Sequence, residues 1–453
     1  MVCISPPTIH TMHTISKHIA AHPHQMTGKI ITHIPLCILM LFSVLCVEPL
    51  YGMHFMDDDV TVPDDAATAP IDSAQASSDS IPTLPWPQSL QASLDTIVSK
   101  SRLLKTAQMG LYVYDLTADS AIYSRDSKQT MRPASTMKLI TAITALDKLG
   151  GAYLYKTRLC YNGEVIDSIR TLKGNIYLIG GMDPMIGSDD IRAFIESIKE
   201  LGVDTIRGNI CADRSMKDTD LYGEGWCWDD DNPELSALVY HRKDALLNKF
   251  YSMLTDNGVV IIGSLEERRC PNGAFEISCQ THSIDQILDR MMKDSNNLFA
   301  ESLFYQIGLT RGRPSTAKKA VAVEEEIMKK MKMQGVPHRF ADGSGLSLYN
   351  YVSAEIEVAF LRYAFADTNI YADLFSHLPI AGVDGTLEKR MRGTSAANNV
   401  RAKTGTLSGV SSLSGYCTAS NGHILAFAII NQGQQNNSPA KALQDRICTI
   451  LCQ

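Results

Sequence analysis

Strand-like alternation marks the two ends of the folded part of this chain, and helical periodicity recurs inside them. Residues 110–116 and 121–124 read as short strands joined by the polar turn 117–120. Residues 400–407, 413–418 and 423–430 read as three more, and Asn421-Gly422 between the last two is a strong hairpin signal. Helical spacing covers 88–100, 284–292, 298–307, 317–333 and 443–451. It also covers the run Met137, Leu139, Ile140, Ile143, Leu146 and Leu149, which Gly150-Gly151 stops. A helix and two strands, then helices, then three strands and a helix suit an antiparallel sheet with helices packed on its faces, an α+β architecture.

Residues 155–280 differ, mixing strand-like pieces with turns, and Trp226, Trp228, Asp229, Asp230 and Asp231 cluster there. This stretch is read as a smaller inserted α/β domain, residues 156–280. It divides a main domain into 85–155 and 281–453, in keeping with a chain of 453 residues, too long for one ordinary core.

The N-terminus reads differently again. No Asp or Glu precedes Glu48, six of the twelve histidines lie in residues 1–33, and an apolar run spans 34–47. That run matches a signal-peptide core in length and is short for a membrane span. Residues 1–52 are therefore read as a signal peptide or leader, and the chain as exported to the periplasm, tied to the membrane if the segment stays uncleaved. Residues 53–84 follow as an acidic linker, rich in Asp, Pro, Ser and Ala, that buries too little apolar surface to order itself. The net charge of -7 gives no reason to expect nucleic-acid binding. No CxxC pair or Cys/His cluster has zinc spacing, and the aspartates near Trp228 read as loop caps rather than metal ligands, so no metal or other cofactor is expected. Eight cysteines lie beyond the leader; they permit disulfides whose pairing the sequence leaves open.

Three short motifs carry the chemistry. Ser135-Thr136-Met137-Lys138 fits S-x-x-K, Ser295-Asn296-Asn297 fits S-x-N, and Lys403-Thr404-Gly405 fits K-T-G. Alone, each is weak: S-x-x-K also occurs at Ser315 and at Ser438. Only Ser135 opens a strongly apolar helix, and the single S-x-N and K-T-G follow it in order. On a helix, residues three apart share a face, so Lys138 reaches the Ser135 hydroxyl. A serine needs such a base, and a lysine serves as one only when burial or another cation, here Lys403, lowers its pKa. Ser295 fits a proton relay between the lysines and a leaving amine. Asn297 suits a substrate amide. Lys403, with Thr404, Gly405 and Thr406 beside it, suits a terminal carboxylate. The backbone N–H groups of Ser135 and Thr406 are the expected oxyanion hole. The scattered histidines define no Ser–His–Asp arrangement.

Beyond these motifs the chain resembles the D-alanyl-D-alanine carboxypeptidase/endopeptidases related to penicillin-binding protein 4. Arg132-Pro133-Ala134-Ser135-Thr136-Met137-Lys138 is similar to that family's NPASxMK segment, and Gly180-Gly181-Met182-Asp183-Pro184 to its GGGDP segment. Gly225-Trp226-Cys227-Trp228-Asp229-Asp230 resembles GWxWDD, and Asp342-Gly343-Ser344-Gly345-Leu346-Ser347 resembles DGSGLS. Further matches lie at 378–387 and 401–407, so the likeness spans about 110–420. It implies a penicilloyl-serine-transferase fold, that is, a β-lactamase/transpeptidase-like domain with an insert between the first two motifs. It also implies peptidoglycan stem peptides as substrate, β-lactams as inhibitors and no metal. A weak homo-oligomer is left open. Thr136 stands where Asn is frequent and Asn296 where Asp is frequent. Only 157 positions separate Lys138 from Ser295, short for the family, which implies a reduced insert. A β-lactamase or esterase of the same fold, and a non-catalytic peptidoglycan-binding protein, are the alternatives.

Overall fold

The structure is a computed structural model that describes residues 84–453. The leader expected over 1–52, and the linker over 53–84 except Leu84, lie outside the described residues.

Helix α1 (Gln88–Ser99), strands β1 (Gln108–Asp115) and β2 (Ser120–Arg125), and helix α2 (Met137–Leu149) come first. A second group holds β3 (Leu154–Tyr161), β4 (Glu164–Ile166), β5 (Thr171–Lys173), β6 (Ile176–Ile179), α3 (Ser188–Glu200), β7 (Thr205–Arg207), β8 (Ile210–Asp213), α4 (Leu246–Asp256), β9 (Val260–Ile261), β10 (Leu265–Glu267) and β11 (Phe275–Ser283). Then follow α5 (Ile284–Lys293), α6 (Asn297–Leu309), α7 (Ala317–Lys330), α8 (Ala354–Ala366) and α9 (Thr368–His377). Strands β12 (Arg401–Leu407), β13 (Val410–Thr418) and β14 (Ile424–Gln432) and helix α10 (Ser438–Leu451) close the chain.

Strands from near the two ends of the described residues meet in one sheet. Its order is β12-β13-β14-β1-β2, antiparallel throughout, with Leu111 opposite Ile429. Strand β14 is buried on both faces, which explains its nearly unbroken apolar sequence. Leu425, Phe427 and Ile429 pack with Leu94 of α1 and Ile447 of α10. Ala426, Ala428 and Ile430 face the other way, toward α2 and α8. The two alanines leave room for a helix to lie close. Full burial of each Leu, Ile or Phe here is worth about 1.5–3 kcal/mol. Helix α2 is buried on every side from Met137 to Leu146, as expected of a helix running through a core.

The second group builds a mixed sheet, β10-β8-β6-β3-β11, and a smaller one, β4-β5-β7-β9. Leu159 and Leu178 of the first, Leu172 and Ile206 of the second, Phe194 of α3 and Phe250 of α4 share one apolar core. This is the α+β arrangement expected of the sequence.

Four helices went unforeseen, α3 and α4 of the second group and α8 and α9 beyond it. Helix α8 escapes the periodicity because Glu357 occupies its buried stripe, between Ile356 and Val358. Helix α9 is short and is started by Asp367, whose carboxylate accepts from the amides of Asn369 and Ile370. Helix α10 begins five residues before the expected start at 443, because its first turn is polar and carries Pro439.

Candidate active site

Ser135 lies in a tight turn, Ala134–Thr136, just before α2. Ala134 has φ +51°, a left-handed conformation that costs a non-glycine residue on the order of 1–3 kcal/mol. Surrounding contacts hold it there. The Ser412 hydroxyl donates to the Pro133 carbonyl at 2.5 Å. Two glycines let backbone close in from both sides. A Cβ on Gly405 would stand 2.7 Å from Pro133 O and 3.0 Å from Ser135 N, and one on Gly345 would stand 1.8 Å from Ala134 O. Edge strand β12 therefore runs directly against the Ser135 amide.

Lys138, one helical turn on, is 0% exposed. Its Nζ donates to Ser135 Oγ at 3.0 Å, to Asn297 Oδ1 at 2.8 Å and to the Ser344 carbonyl at 2.7 Å. Burial lowers its pKa to about 7, although Asp342 and Glu301 pull it upward. The depression thus comes from desolvation; the second cation anticipated from the sequence is not its cause.

Across the site, Ser295 sits between α5 and α6 with φ +58°. Asn296 caps α6 by accepting from Leu298 N at 3.0 Å, which fixes Asn297 as the first helical residue. Lys403 Nζ donates to Ser295 Oγ at 2.8 Å and to the Thr404 carbonyl at 2.9 Å. Lys403 is also fully buried, and burial, reinforced by the Lys138 charge, pushes its pKa well below the ordinary lysine value. Thr404 Oγ1 donates to Thr386 Oγ1 at 2.8 Å, and Thr406 is exposed at the strand's open side. Ser135, Lys138, Ser295, Asn297 and Lys403 are therefore linked in two hydrogen-bonded groups, with Thr404, Gly405 and Thr406 on the adjoining strand. A hydroxyl beside a half-titrated amine can be deprotonated near neutral pH.

The sequence profile of the D-Ala-D-Ala carboxypeptidase 3 (S13) family matches residues 90–239 and 234–453. The chain belongs to that family. Membership makes it a serine-type hydrolase of the D-Ala-D-Ala carboxypeptidase class. Among relatives of this S13 member is a D-alanyl-D-alanine carboxypeptidase from an Actinomadura strain, 29% identical, with 80% of this chain and 84% of that protein covered. The crystal structure of penicillin binding protein 4 from Haemophilus influenzae shares the fold at a TM-score of 0.71 and 21% identity, covering 78% of this chain and 98% of that one. A penicillin G-acylated predatory endopeptidase from Bdellovibrio bacteriovorus matches at 0.50 and 17% identity, over 75% and 91% of the chains.

The other S-x-x-K matches of this S13 chain also start helices, α7 and α10, but Lys318 is exposed and Lys441 only half-buried. Complete burial of the lysine singles out Ser135. Sequence reasoning overlooked the acids beneath the site. Glu301, buried in α6, accepts from the amides of Gly343 and Ser344, and burial lifts its pKa to about 8. Asp342 accepts from Gly345 N, Ser347 N, Asn350 Nδ2 and the Trp226 indole at 2.7–2.8 Å. These bonds shape the loop that offers the Ser344 carbonyl to Lys138. Glu301 sits in an otherwise apolar run and has no local signal. Asp342 and Trp226 were visible only as parts of family segments. Among the described residues, no group of His, Cys, Asp or Glu could hold a metal ion, and no helix is long and apolar enough to cross a membrane.

Proposed function

We propose that Ser135 is the nucleophile of a two-step acyl transfer on the D-Ala-D-Ala ends, or the D-Ala cross-links, of peptidoglycan stem peptides. The observation that carries the reading is the buried Lys138 amine, 3.0 Å from Ser135 Oγ, whose pKa is lowered to about 7 so that its neutral, basic form is available near neutral pH. Lys138 takes the hydroxyl proton as Oγ attacks the carbonyl of the penultimate D-Ala. The oxyanion that forms points to the N–H groups of Ser135 and Thr406. Ser295, in contact with Lys403, relays the proton that Lys138 took from Ser135 to the departing nitrogen, which leaves as a neutral amine, and Lys138 is again free to take a proton from water. Water then attacks the acyl-serine and frees the shortened peptide. Asn297 offers its amide nitrogen to the substrate, since its oxygen accepts from Lys138. An incoming carboxylate supplies a counter-charge to buried Lys403, which raises its pKa, and rests against Lys403, Thr404 and Thr406.

In this reading β-lactams acylate the same serine. The relative whose solved structure is penicillin G-acylated, and which shares this fold, supports that. Residues 85–155 and 281–453 act as the catalytic domain and 156–280 as an insert. The insert reaches the site through Trp226 and Asp342. Export to the periplasm follows from the substrate, with the N-terminal segment as signal peptide or anchor. Digestion of muropeptides tests the proposal. Wild type should release terminal D-Ala or resolve cross-linked dimers, and Ser135→Ala should do neither. Equal activity in the two proteins would refute the assignment.

A further inference from the structure

Beneath the Ser135 turn lies a buried carboxylic acid that the mechanism above does not use. Glu357 of α8 is 0% exposed. Its Oε1 lies 2.5 Å from Thr136 Oγ1, on the residue next to Ser135. Thr136 Oγ1 is also 2.8 Å from the Pro133 carbonyl, and Ser412 Oγ is 2.5 Å from that same carbonyl. We propose that Glu357 is a positioning residue for the nucleophile, holding the 133–136 turn through the Thr136 hydroxyl, and that it does so as the neutral acid. The proposal rests on Ser135 as nucleophile.

Counting protons supports the neutral form. Thr136 has one hydroxyl proton and two acceptors within 2.8 Å. If Glu357 donates its own proton to Thr136, the threonine donates to Pro133 O, and Ser412 donates there as well. All three hydroxyl protons are then used, and Pro133, which precedes the strained Ala134, is held twice. If Glu357 is ionised, Thr136 must turn its proton to the carboxylate and the bond to Pro133 O is lost. The second carboxyl oxygen, Oε2, has no hydrogen-bond partner. An ionised carboxylate with one bare buried oxygen is far costlier than a neutral acid in that place. The Ser414 hydroxyl faces the group but donates to the Phe427 carbonyl at 3.2 Å. No charged side chain compensates. The turn before α2 presents Thr136, β13 presents Ser412 and Ser414, and β14 presents alanines; on α8 itself, Arg362 pairs with Asp119 and Glu355 faces Tyr112. Burial accordingly raises the Glu357 pKa to about 7.

The consequence is a second titration behind the nucleophile. Raising the pH frees Lys138 as a base but ionises Glu357 and loosens the turn. Acylation should therefore pass through a maximum near neutral pH. Glu357→Gln offers Thr136 an N–H at every pH and removes that ionisation. The test is the rate of acylation by a fluorescent penicillin from pH 5.5 to 9 on the full chain, with non-covalent affinity read separately. We expect Glu357→Gln to acylate like wild type on the acid side and to lose the alkaline decline. Glu357→Leu should acylate about tenfold more slowly or worse at all pH values, with affinity unchanged, as expected when a nucleophile is slightly misplaced. A Glu357→Gln profile identical to wild type, or uniformly slow, would overturn the proposal, as would a Glu357→Leu protein that acylates normally. Should Glu357→Leu not fold, the Glu357→Gln profile alone decides. Failure of wild type to be labelled at all would instead strike at Ser135 as nucleophile.

Discussion

Lys138 and Lys403 are both fully buried, yet they sit in opposite electrical surroundings. Lys138 rests above an acidic floor of Asp342 and Glu301, which pulls its pKa up and leaves it at about 7 after desolvation. Lys403 stands on an edge strand with no acid to support it, and the charge on Lys138 drives its proton off further. Burial alone thus does not define a catalytic lysine. The floor holds one amine's pKa near neutrality, and the lack of one leaves the other's well below the ordinary lysine value.

The largest effect should come from removing the amine above the floor. Lys138→Met should slow acylation by penicillin about 10²–10⁴-fold, the usual range for loss of a general base, as stopped-flow labelling would show. A smaller loss would place the base elsewhere. Lys403→Met should fall mainly on substrates with a free terminal carboxylate, raising KM for a D-Ala-D-Ala peptide more than for a carboxylate-blocked ester. Equal losses on both would mean that Lys403 does not hold the carboxylate.

Gly405→Ala probes the seam between the two lysines, where a Cβ would collide with Ser412 Oγ and Pro133 O. Overpacking of this kind costs about 1–3 kcal/mol. Denaturant unfolding should show that loss together with impaired acylation.

The floor makes two pH-dependent predictions. Asp342→Asn removes the strongest upward pull on Lys138, so the acid limb of the acylation profile should move to lower pH. A limb that stays put would mean that Asp342 only shapes the loop. Glu301 has its pKa raised from 4.5 to about 8 by burial, so the folded protein holds its proton where the unfolded chain has lost it. Its stabilising contribution is full below about pH 4.5 and is lost as pH rises through about 8. Thermal melts from pH 5 to 9 should fall, and Glu301→Gln should flatten that fall.

This contrast between the lysines also shows what the sequence could carry. Ser135 and Lys138 were legible because three-residue spacing on an apolar helix is a local property, and the sheet was legible because its strands are short runs bounded by turn signals such as Asn421-Gly422. The floor was not, because Glu301 reads as a polar interruption of an apolar helix until Gly343 and Ser344, some forty residues away, are seen to bond it. Glu357 hid α8 for the same reason. A buried acid looks like a solvent-facing residue until its partners from distant segments are known. The two non-glycine residues with positive φ at the site, Ala134 and Ser295, likewise give no signal in residue type.

The most direct test of the central claim is peptide mapping of the intact protein after brief exposure to penicillin. Mass spectrometry should find one penicilloyl group, on the peptide that contains Ser135, and none in Ser135→Ala. An adduct on Ser315, Ser438 or any other residue, or continued acylation of Ser135→Ala, would contradict the account.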